Sequence, residues 1–154
     1  MRMRRRLWFS SLLMIVFVAI ISLSTVRADT PLETGWNVRI EAATASPAQQ
    51  GEAARIRFRI VNESTATFHV IGIDVPVADM ARLVADVGEA GQDVLDSIGV
   101  PAGETLDLTT SHLYFETAAV TRNLQQGETL DMTLQFVGGQ LIVPVHVHDS
   151  SSGC

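Results

Sequence analysis

The stretch LDMTLQFVGGQLIVPVHV, residues 130–147, decides the fold. Leu130, Met132, Leu134 and Phe136 alternate with polar residues, and Leu141, Val143, Val145 and Val147 alternate on the way back. A period of two places every second side chain on one face, as a strand with one buried and one wet face requires. Gly138-Gly139 between the runs supplies the positive backbone angles of a tight turn, so the segment reads as a β-hairpin.

The same period recurs upstream. Trp36, Val38 and Ile40 alternate with Asn37, Arg39 and Glu41, and Arg55, Arg57 and Arg59 alternate with Ile56, Phe58 and Ile60. Phe68 to Val75 is an apolar run that stops at Pro76, which has no N–H for a ladder. Thr105–Leu108 and Leu113–Ala119 read as further strands, and the turns Pro101-Ala102-Gly103-Glu104 and Gln125-Gln126-Gly127-Glu128 punctuate them. Many short strands separated by turns predict an all-β, antiparallel sandwich or barrel. From Val77 to Val87 a helical face (Met80, Leu83, Val84, Val87) and a strand face (Ala81, Leu83, Ala85, Val87) fit equally well, and periodicity leaves both open.

With 154 residues, 47% of them hydrophobic, the chain has room for one ordinary domain. Its first 28 residues read as an address. Arg2, Arg4, Arg5 and Arg6 precede an apolar stretch from Leu7 to Ile21, and Val26-Arg27-Ala28 suits a leader-peptidase cut before Asp29. Leu7 to Val26 also approaches the length of a bilayer-spanning helix, so an uncut anchor is the alternative. Either reading exports residues 29–148 as the domain, with 149–154 as a loose tail, and membrane contact is expected only through an uncut leader. No cysteine lies near the cut, which argues against an N-terminal lipid anchor; the one cysteine, Cys154, leaves no intramolecular disulfide.

Five of the eleven arginines fall in the leader and none of the seventeen acids does, so the remainder carries 6 − 17 = −11. There is no lysine, and the basic stripe that nucleic acid requires is missing. Between Arg82 and Arg122 stand seven acids and no base. Such a region either steers a cation or basic partner or keeps the surface solvated. Motifs of nucleophilic, phosphate-binding and zinc-hydrolase enzymes are absent, and a non-enzymatic role is expected.

Four histidines remain. His69 sits among apolar residues of a strand, the usual setting of a packed or half-exposed imidazole. His146 and His148 are two apart, so on a strand both project from one face at a separation one Cu(II) or Zn(II) ion can bridge; a plain wet face is the alternative. His112 follows Thr109-Thr110-Ser111.

Asn62, Phe68-His69-Val70-Ile71-Gly72, Pro76-Val77-Ala78, Val100 through Leu108, His112, Leu124-Gln125-Gln126-Gly127-Glu128-Thr129 and Leu134-Gln135-Phe136 stand in the order seen in the periplasmic copper chaperone family PCu(A)C. The chain resembles that family from about Trp36 to Val147. The resemblance implies an exported, cupredoxin-like β-sandwich that holds copper at its surface and hands it to a periplasmic acceptor such as a copper-dependent oxidase subunit. The family's site uses an early histidine, a loop methionine and a later His-x-Met pair. Only His112 matches: the partner methionine falls on Tyr114, no histidine lies between Met80 and Asp86, and no Met or His occurs from Ala81 to Ser111. The expectation is therefore a copper carrier with an eroded site, binding through His112 with Met80 or through His146 and His148. The alternative is an interaction module that has lost metal and makes contacts through the acidic region from Leu83 to Thr121.

Overall fold

The computed structural model describes residues 37–148. The expected leader, the tail 149–154 and Cys154 lie outside the described residues. Ten strands form: β1 Val38–Ala45, β2 Arg55–Asn62, β3 Phe68–Asp74, β4 Ala81–Asp86, β5 Gln92–Leu95, β6 Ile98–Val100, β7 Thr105–Asp107, β8 Leu113–Thr117, β9 Thr129–Phe136 and β10 Gly139–Val147. They join in the order β5-β4-β8-β2-β1-β10-β9-β3-β6, with β7 also on β2. The two outer strands β5 and β6 are consecutive in sequence, linked through Asp96 and Ser97. The sheet thus curls until its edges share one short connection.

Alternation set this layout. In β2, Ile56, Phe58 and Ile60 are at most 1% exposed while Arg55, Arg57 and Arg59 stay on the wet face; in β9 and β10, Met132, Leu134 and Val145 are fully buried. Phe58 stacks on Phe115 with ring centroids 5.5 Å apart, and Phe68 meets Phe136 at 4.9 Å, separations at which aromatic pairs add to the burial energy.

The expected antiparallel pairing holds for every ladder but one. β1 and β10 run parallel, with Thr44 opposite His146 and Ala45 opposite Val147. Parallel neighbours need a long crossover, and here all the intervening strands supply it.

The β9–β10 turn is also displaced by one residue from the expectation. Gly139 pairs with Phe136, so Val137 and Gly138 form the loop and only Gly138 takes a positive φ, 107°. Gly139 serves a different need: a Cβ there would lie 3.2 Å from the Phe136 ring, which packs over the bare backbone.

In β1 the register shifts between Glu41 and Thr44, and Ala42 takes φ 50°, the left-handed conformation of a β-bulge residue. The ambiguous stretch 77–87 holds strand β4, with Leu83, Val84 and Ala85 all buried. Both faces of that strand are covered, which erases the alternation a half-wet strand displays.

Asn62 closes the far end of the core. It is fully buried, and its amide nitrogen donates to the carbonyl oxygens of Ala66, Val100 and Pro101 at 2.8–3.0 Å. Its Oδ1 accepts from the Ser64 N–H and hydroxyl.

Candidate functional site

The β4–β8 ladder carries Met80 and His112, at opposite ends. Ala81 pairs with Thr117 and Ala85 with Leu113. Beyond those pairs, Ala118 N–H donates to the Met80 carbonyl at 2.7 Å and Asp86 N–H to the His112 carbonyl at 2.9 Å. Six strand positions separate the two, about 20 Å at 3.3 Å per residue. Ligand bonds of about 2.0–2.3 Å cannot bridge that span, so the fold does not bring Met80 and His112 to one ion. Both side chains are exposed, Met80 at 61%.

Between those ends, Val84 lies opposite Tyr114, each 1% exposed. Tyr114 occupies the place that the copper chaperone resemblance gives to the second methionine. The guanidinium carbons of Arg55 and Arg57 stand 4.7 and 5.1 Å from its ring centroid, within cation–π range. Gln92 Nε2 donates to its hydroxyl at 2.6 Å, and Arg57 Nη1 donates to the carbonyls of Leu108 and Ser111, each at 2.8 Å. Where a soft cation would need thioether and imidazole donors, this chain has an apolar and aromatic pair beneath two positive charges.

His146 and His148 emerge on the exposed side of β10, on either side of buried Val147. Their Cα atoms are two strand positions apart, about 7 Å. His146 Nδ1 lies 3.0 Å from Thr129 Oγ1, which fixes the ring, and His148 N–H donates to Ala45 O at 2.9 Å. Strand register aligns Arg57, Thr44, His146 and Thr129 in one row across β2, β1, β10 and β9. Arg55 heads the adjoining row, its N–H donating to Ser46 Oγ at 2.9 Å. Two arginines and two histidines thus share a face. The sequence displayed the alternating arginines as a wet strand face; that two of them cover Tyr114 follows only from register.

The other four arginines among the described residues are paired with carboxylates. Arg39 reaches Glu41 at 3.1 Å and Glu63 at 2.8 Å, and Arg59 reaches Asp107 at 2.9 Å. The Asp107 carboxyl is held below its ordinary pKa, first by the Thr109 hydroxyl and then, against some desolvation, by Arg59 and the Thr109 N–H. Glu128 is likewise lowered, chiefly by Arg122 at 2.5 Å. His69 is exposed, its ring lying over Gly99. In the acidic region, Asp86, Glu89, Asp93 and Asp96 surround the β4–β5 hairpin, whose exposed apolar residues are Val87 and Val94. Among the described residues no three His, Cys, Asp or Glu side chains gather closely enough to hold a metal.

Residues 37–147 match the family described as "Putative lipoprotein LpqE-like". No curated protein matches the chain. Among solved structures, a copper-bound PCuAC domain from PmoF2 is similar at TM-score 0.67 and 17% identity, covering 77% of this chain and 97% of that one. An apo PCuAC domain from PmoF1 gives 0.65 and 17%, over 77% and 98%. The solution structure of CuI-DR1885 from Deinococcus radiodurans gives 0.55 and 23%, over 70% and 77%. These likenesses establish the fold, a cupredoxin-like sandwich shared with PCuAC domains.

Proposed function

The chain belongs to the LpqE-like family, and from that premise, with the PCuAC fold it shares, we propose that it is an exported copper-handling domain. The family's lipoprotein description and the leader-like residues 1–28 support export, with the periplasm as the compartment and a copper-dependent periplasmic protein, such as an oxidase subunit, as acceptor. The role is carriage of an ion, without catalysis.

The carrying observation is the His146–His148 pair, two imidazoles on one exposed strand face with the first ring fixed by Thr129. Imidazole donors without thioether suit Cu(II) over Cu(I). Arg55 and Arg57, both on β2 and two strand spacings from β10 at about 10 Å, weaken the hold on a cation, so binding is weak and release fast. His112 and Met80 would each contribute at most single donors, too far apart to share an ion. Electron paramagnetic resonance of the Cu(II)-loaded chain tests this: coupling to imidazole nitrogen that disappears in His146→Ala/His148→Ala supports it, and coupling unchanged in that variant refutes it.

A second reading, an interaction module without metal, is favoured by the Val84–Tyr114 pair under Arg55 and Arg57, which fills the inherited position. No copper uptake tighter than micromolar would select it.

A further inference from the structure

The described residues hold six arginines and fourteen carboxylates, a net charge of −8. Four arginines have carboxylate partners: Arg39 with Glu41 and Glu63, Arg59 with Glu41 and Asp107, Arg82 with Glu116, and Arg122 with Glu128. Among the described residues Arg55 and Arg57 have none within 4.0 Å, although carboxylates outnumber arginines there. Glu116, the partner of Arg55 across the ladder, turns to Arg82 instead.

These two unpaired cations are neighbours held over the same buried ring. Two guanidiniums side by side repel each other, and the Tyr114 face offsets only part of that repulsion. Arg57 is anchored by the Leu108 and Ser111 carbonyls, so the pair is positioned in advance of any partner. A planar, preorganised pair of forks is the arrangement that recognises carboxylates.

We infer that the outer face at Arg55, Arg57 and Tyr114 is a docking site for an acidic segment of a partner protein. The row from Arg57 through Thr44 to His146, and the hydroxyl of Ser46 beside Arg55, continue the polar surface across β1 to β10. That shape fits an extended segment bearing several carboxylates. The net negative charge of the surrounding domain repels a continuous anionic lipid surface, whereas a short acidic segment meets only the local pair. The inference stands without copper; if the domain does carry copper, the segment would rest beside His146 and His148.

Tyr114 is the chain's single tyrosine, so 3-fluorotyrosine gives one fluorine resonance directly beneath the two guanidiniums. The metal-free full chain titrated with a hexaglutamate peptide should shift that resonance, with affinity falling as salt rises. Among the described residues Arg55 makes no side-chain hydrogen bond, so Arg55→Gln removes its charge without setting a carboxylate opposite Glu116 and should weaken the peptide at least tenfold, while Arg39→Ala, at the other end of β1, binds like the parent. Absence of a shift at millimolar peptide overturns the inference, as does equal weakening by Arg55→Gln and Arg39→Ala. A shift produced by phosphatidylglycerol vesicles but not by the peptide overturns it too, in favour of a membrane.

Discussion

Val84 and Tyr114 are direct partners across the β4–β8 ladder, both 1% exposed, in the part of the fold where a PCuAC-like copper site is expected. A buried apolar and aromatic pair with two guanidiniums above it occupies that place. The double variant Val84→His/Tyr114→Met supplies an imidazole and a thioether beside His112, donors suited to Cu(I). Cu(I) affinity, measured against a competing chelator, should rise at least tenfold over the parent. An unchanged affinity would place the inherited site elsewhere.

Asn62 anchors three carbonyls, two of which belong to Val100 at the end of β6 and Pro101 just after it. Asn62→Ala strands these acceptors in a buried setting and should cost about 2–3 kcal/mol in urea unfolding, against about 1 kcal/mol for an ordinary exposed hydrogen bond. A loss below about 1 kcal/mol would mean that water replaces the amide.

Asp107 has a folded-state pKa below its unfolded value of 3.8. The sign follows from linkage: its stabilising contribution is present above pH 3.8 and lost as pH falls through the lower folded pKa. Its side chain is 31% exposed, so the contribution stays within the roughly 0–1 kcal/mol of exposed pairs. Asp107→Asn should therefore flatten the acid limb of the stability profile below about pH 4 and be constant above it. A profile parallel to the parent's through that range would show that Asp107 is not a contributor.

What could be read from the sequence was whatever depends on local alternation. The β9–β10 hairpin, the arginine-bearing β2 and the exposed His146 and His148 all follow from a period of two. β4 resisted because Tyr114 and the core cover its two faces, and β5 and β6 are too short and too exposed to imprint a pattern. The parallel β1–β10 pair and the stack of Arg55 and Arg57 on Tyr114 join residues distant in the chain, and only strand register reveals them. Register likewise separates Met80 from His112, which proximity along the aligned motif had brought together.

Competition titration of the parent chain, His112→Ala and His146→Ala/His148→Ala with Cu(II) tests the central claim most directly. The parent and His112→Ala should take up one ion with equal, modest affinity, and the double variant should bind at least tenfold more weakly. Uptake that vanishes with His112 and survives loss of His146 and His148 would contradict the account and return copper to the β4–β8 ladder.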